Sequence, residues 1–202
     1  MGTRGTYGWR LDGHDYLAYN HFDSYPPGLG TEIAAQLAEL LADNTTDELR
    51  SQVRALRAVS EDSTPTPEDI AKCRQYADLS VDNRRIDNWY CLLRKAQGDM
   101  GAMLATGILL DANYFIRDSL FCEWGYVANL DDSILEVWRG FQEESDPTNR
   151  YGQDGKPCYE GGPVYYPCTC IATLPLDAGV FTAFDAWRAV YEEPEETEDQ
   201  DA

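Results

Sequence analysis

Polar and apolar residues alternate on both sides of Asp12-Gly13: Thr6, Tyr7 and Trp9 lie before it, and Tyr16, Leu17 and Tyr19 after it. Asp-Gly is favoured in two-residue type I′ turns, so residues 3–22 are expected to form a β-hairpin. Such a turn pairs Leu11 with His14. Stepping outward, it sets Trp9 against Tyr16, Tyr7 against Ala18, Thr6 against Tyr19 and Arg4 against His21. Alternation then assigns Tyr7, Trp9, Tyr16 and Ala18 to a core-facing side. Arg4, Thr6, Arg10, Leu17, Tyr19, His21 and Asp23 share the other.

Tyr25-Pro-Pro-Gly-Leu-Gly30 ends the hairpin, because proline cannot donate to a ladder. From Thr31 the period changes: Ile33, Leu37, Leu40 and Leu41 fall at helical spacing up to about Ala42. Thr46-Asp47-Glu48-Leu49 opens a second helix, with Leu49, Val53, Leu56 and Val59 as its apolar positions. Residues 63–67 read as a linker, and Thr66 before Pro67 starts a third helix with Ile70, Cys73, Tyr76 and Ala77 inward. Trp89, Leu92, Leu93 and Ala96 mark another helical segment, which Gly98 and Gly101 weaken.

Strand character returns beyond Ile116. Residues 121–129 and 134–139 alternate around Leu130-Asp131-Asp132-Ser133 as a second hairpin, with Trp124, Tyr126, Ala128, Leu135 and Val137 on its core face. A Gly-, Pro- and Asp-rich loop, 145–163, leads to a strand over 164–174. Phe181, Phe184, Trp187 and Val190 then return to helical spacing. The expected class is α+β with a largely antiparallel sheet built from two hairpins and a further strand. One domain over 1–191 is expected, with a disordered acidic tail over 192–202.

Charge narrows the choice of partners. The formal net charge is −20, of which the seven acidic residues of the tail account for only part. Such a surface repels a nucleic-acid backbone, and no basic patch beyond short pairs such as Arg84-Arg85 intervenes, so no direct nucleic-acid binding is expected. The longest apolar run, 102–110, is about half of a membrane span. With no basic stretch leading into an apolar one at the N-terminus, a soluble cytoplasmic protein is expected. The six cysteines are then expected as free thiols. Cys158, Cys168 and Cys170 lack the paired spacing of structural zinc sites. No nucleotide or cofactor motif is present, and no cofactor is expected.

The candidate chemistry gathers at the open end of the first hairpin. His21 beside Asp23 offers a catalytic acid–base pair, and Arg4 a planar fork for an anion. Asn20, Ser24 and Tyr25 add hydrogen-bonding groups, while Gly28 and Gly30 would let backbone N–H groups approach a ligand. The same residues can equally form an Arg4–Asp23 ion pair and an ordinary turn. Cys122 is a remote candidate nucleophile.

Gly2-Thr-Arg-Gly5, Tyr19-Asn-His-Phe-Asp-Ser-Tyr-Pro26 and Gly28-Leu-Gly30 resemble a group of phage, bacterial and fungal proteins. These begin Met-Gly-Thr-Arg-Gly and carry an Asp-(Ser/Gly)-Tyr-Pro turn. Tyr126-Val-Ala-Asn-Leu-Asp131 and Leu135-Glu-Val-Trp-Arg-Gly140 are similar to the group's later hairpin. The resemblance implies a phage or prokaryotic origin and carries no activity with it. The element order also resembles, in fold alone, the N-terminal nucleophile hydrolases. Thr3 stands near their nucleophile position, yet removal of Met1 would expose Gly2. Two expectations follow: a binding protein acting on a host protein, or a small-molecule hydrolase or transferase using Arg4, His21 and Asp23.

Overall fold

The computed structural model describes residues 3–191. Strands β1 (Gly5–Leu11) and β2 (His14–Asn20) form the first hairpin, with the pairing running from Leu11–His14 to Gly5–Asn20. Asp12 and Gly13 both take positive φ, 53° and 76°, as a type I′ turn requires. After a helical turn at Pro26–Gly30 come helices α1 (Thr31–Asp43) and α2 (Thr46–Arg54). The Thr45 hydroxyl accepts from the Glu48 N–H while the Glu48 carboxylate accepts from the Thr45 N–H, a reciprocal cap that starts α2.

Helix α2 ends at Arg54, five residues before the last apolar position, Val59, that the spacing assigns to it. Val59 lies instead in a short strand, β3 (Arg57–Val59). Helix α3 (Pro67–Cys73) carries the expected Thr66 cap, and α4 (Trp89–Leu92) is a single turn. Gly101 does not prevent α5 (Met100–Thr106), because the Asp99 carboxylate caps it from the Ala102 N–H and Gly107 ends it at φ 61°. Strand β4 (Ile108–Leu110) follows and pairs in parallel with β3. That pairing is what takes Val59 away from helix.

Strands β5 (Trp124–Asn129) and β6 (Ile134–Arg139) make the second hairpin. The strand expected over 164–174 is broken at Pro167. Strand β7 (Lys156–Pro157) pairs with β8 (Val164–Tyr165), and β9 (Thr169–Pro175) joins β6. Helix α6 (Val180–Val190) closes the described chain. The main sheet runs β2-β1-β5-β6-β9, antiparallel except where β1 meets β5. This is an α+β fold. The expectation for residues 192–202 lies outside the described residues, none of whose helices is long and apolar enough to cross a membrane.

Both faces of the sheet are covered. Tyr7, Trp9, Trp124, Tyr126 and Val137 face α1, α5 and α6 through Ile33, Leu37, Met100 and Phe184. The opposite face, which carries Leu17 and Tyr19 of the first hairpin, is packed as well. Leu17, Val127 and Trp138 are buried there beneath Phe115, Ile116, Tyr151 and Cys168. A third cluster, around Val59, Cys73, Trp89, Leu92 and Ile108, supports the β3–β4 pair beside the hairpin. The hairpin's open end and this small parallel pair frame a broad cleft.

Candidate functional site

The cleft lies where β3 and β4 release their chains at their C-terminal ends. One wall is Ala58–Asp62 and the other Asp111–Phe115, with Tyr19, His21 and Leu110 between them and Tyr90 alongside. Asp111 N–H donates to the Val59 carbonyl at 3.0 Å and Ala112 N–H to the Leu17 carbonyl at 2.9 Å, so both walls are tied to the strands beneath. This lobe holds about 700 Å³. A second lobe of about 520 Å³ shares His21, Glu61 and Tyr90 and adds Phe22, Asp82 and Arg94.

His21 is the sequence-designated residue that lines both lobes. Its Nδ1 sits 2.6 Å from the Tyr19 hydroxyl, and its ring meets Phe22 edge-on. Burial, then the positive charges of Arg94 and Arg4, push the His21 pKa below its ordinary 6.5. Burial pushes the Tyr19 phenol upward. Both shifts keep the pair neutral at pH 7. An NMR titration of His21 should therefore show a midpoint below 6.5. Because the folded protein resists this proton more than the unfolded chain does, stability from neutral His21 is complete above pH 6.5 and falls as pH drops toward the folded midpoint. A midpoint at or above 6.5 would place His21 in open solvent or beside a carboxylate.

The remaining candidates are placed differently. Arg4 stacks on Phe121 at 5.0 Å, and its backbone is bonded to Glu123 in both directions. No Arg4–Asp23 ion pair occurs among the described residues. Asp23 adopts φ 52°, accepts the Leu29 N–H on its carbonyl, and takes a long 3.4 Å bond from the Tyr25 hydroxyl on its carboxylate. The partner of His21 is thus Tyr19 rather than Asp23. Asn20 and Ser24 are buried and bonded to each other at 2.8 Å, which shuts them away from the cleft.

The two glycines are needed for packing. A Cβ on Gly28 would stand 2.3 Å from the Asp23 carbonyl oxygen, and one on Gly30 would stand 2.6 Å from the Phe184 ring. Cys122 is fully buried, with its thiol pushed well above the ordinary range by that burial and by Cys168, so it is no nucleophile. Cys168 donates to the Cys122 carbonyl and Cys170 to the Ala172 carbonyl. Among the described residues no cluster of three His, Cys, Asp or Glu side chains is placed to hold a metal.

Residues without any local motif supply the rest of the site. Arg94 lies over Phe22 at 5.3 Å and Tyr90 at 5.5 Å and donates to Gln97, so its charge is pinned to one end. Tyr114 stands 67% exposed on the opposite wall. Glu61 and Asp62 are exposed and form no ion pair among the described residues, while Asp111 caps the Asn113 N–H. The cleft therefore combines aromatic rings with four carboxylates against one guanidinium. Comparisons of the chain with protein-family models, curated proteins and solved structures yield no match, and the functional reading rests on this geometry.

Proposed function

We propose that this is a binding protein whose cleft takes a positively charged segment of a partner protein, a host protein if the chain is phage-encoded. The observation that carries the reading is the pairing of unbonded rim carboxylates, Glu61 and Asp62, with the rings of Tyr19, Tyr90 and Tyr114. Aromatic faces attract ammonium and guanidinium groups, more strongly where water is partly excluded. A net charge of −20 adds long-range steering of a basic partner. Neutral His21 leaves that acidic field undiminished.

A fluorescein-labelled Lys/Arg-rich peptide should bind, and a Glu-rich peptide of equal length should not, by anisotropy at low salt. The double variant Glu61→Gln/Asp62→Asn should weaken binding roughly tenfold, since two rim pairs contribute up to about 1 kcal/mol each. Equal binding of both peptides, or an unchanged double variant, would sink the proposal.

The short Tyr19–His21 bond favours a second reading, a small-molecule hydrolase or transferase. In it His21 moves a proton, and Arg94, which lines the cleft, holds an anionic group in place of Arg4. His21→Gln separates the two: it would abolish turnover of chromogenic ester or phosphate-ester substrates but leave basic-peptide binding nearly intact.

A further inference from the structure

Adjoining the cleft across Tyr19, Tyr90 and Leu110 is a smaller pit, closed by Ala18, Leu93 and Ala96 among others. Its volume is about 40 Å³, room for on the order of three waters by the same measure. Water gains little there. Several of the polar side chains that reach it are already engaged within the protein: the Tyr7 hydroxyl donates to the Ala96 carbonyl at 3.0 Å, and the Thr106 hydroxyl to the Ala102 carbonyl at 2.8 Å. Gln97 accepts from Arg94. The rest of the lining is chiefly apolar, with Leu93, Met103, Ile108, Leu109 and Leu110 around it, so the pit suits a small branched hydrocarbon group.

Resting on the reading of the cleft as a site for a basic segment, we propose that the segment is anchored by one leucine-sized apolar side chain in this pit, with a Lys or Arg on each side of it. The geometry of an extended chain supports the pattern. Neighbouring side chains of a strand point in opposite directions, so when one residue enters the pit, those before and after it turn outward. The cleft that adjoins the pit carries acidic side chains on its walls, Glu61 and Asp62 on one and Asp111 on the other. The rings of Tyr19 and Tyr90, which line both spaces, would cover the stems of the basic residues as well as the anchor. Charge alone would admit any basic segment; the pit adds selection by size.

Three labelled peptides that differ only at the central residue, Lys-Leu-Lys, Lys-Ala-Lys and Lys-Trp-Lys in a Ser/Gly frame, test this by anisotropy on the full chain. The leucine peptide should bind roughly tenfold more tightly than the alanine peptide, from the extra apolar surface removed from water. The tryptophan peptide should be no better than alanine, being too large for the pit. Ala96→Leu fills the pit and should abolish the leucine preference while leaving the alanine peptide's affinity unchanged. Should that variant fail to fold, transferred contacts in NMR between the leucine methyls and the Tyr19 or Tyr90 rings of the unaltered protein serve instead. Equal affinity for all three peptides, or leucine methyls with no contact to those rings, overturns the anchor and leaves the cleft's preference for positive charge standing. Failure of every basic peptide to bind overturns the cleft reading and the anchor with it.

Discussion

Replacing Arg150 with alanine should destabilise the fold by about 3 kcal/mol or more, a cost typical of breaking a buried ion pair from one side. Glu136 is 4% exposed on the second face of the sheet. Its carboxylate accepts from Asn129 Nδ2 at 2.8 Å, Trp138 Nε1 at 2.9 Å and Arg150 Nη1 at 2.8 Å. Arg150 reaches it from the 145–163 loop, lies over the Trp138 and Tyr151 rings, and also donates to the Tyr151 hydroxyl. Without the guanidinium, the buried carboxylate keeps only its Asn129 and Trp138 donors and has no opposite charge beside it, and the loop loses one fastening to the sheet. Urea unfolding at pH 7 measures the cost. Arg150→Met combined with Glu136→Leu should recover most of the loss, since no charge is then left buried. A deficit under about 1 kcal/mol for Arg150→Ala would mean that water replaces the guanidinium.

That ion pair also marks the limit of what the sequence discloses. Local chemistry was legible: Asp12-Gly13 dictates the turn and therefore the register of the first hairpin, and Thr66-Pro67 starts α3 where a cap and a proline require it. The α+β class follows from the switch between two-residue and helical periods. The parallel pairing of β1 with β5 joins residues more than a hundred positions apart, and no local pattern specifies it. It sets the two hairpin turns side by side, where the Asp131 carboxylate accepts the N–H groups of Asp12 and Gly13 at 2.8 and 2.9 Å. Strands β3 and β4 are three residues each, too short to show alternation.

The cleft was hidden for the same reason. Glu61, Tyr90, Arg94, Asp111 and Tyr114 come from three separate stretches and share no motif. His21 was visible because histidine is rare in this chain and stands beside a turn. Its partner was not, since an Asp two residues away is the more familiar companion than the Tyr19 hydroxyl that the strand's alternation places on the same face.

The turn that presents His21 is seated from below by Tyr126, and truncating that residue should be as damaging as losing Arg150. The Tyr126 hydroxyl donates to the Ser24 carbonyl at 2.9 Å, and its ring packs under Gly30 and edge-on to Phe184 at 6.0 Å. Ser24 in turn holds Asn20, and its N–H donates to the Thr3 carbonyl, so a single aromatic side chain supports both ends of the 20–30 segment. Tyr126→Ala opens a large cavity in the main core and should cost about 4 kcal/mol, as aromatic-to-alanine changes in cores generally do. Tyr126→Phe retains the ring and removes one buried donor, which should cost about 1 kcal/mol. The difference between the two, read from urea midpoints with unchanged slopes, separates what the ring contributes by filling space from what the hydroxyl contributes by holding Ser24. If the phenylalanine variant is as stable as the parent, water reaches the Ser24 carbonyl and the turn is not held from the core. The position of His21 over the cleft would then depend on its bond to Tyr19 and on the Phe22–Arg94 stack alone.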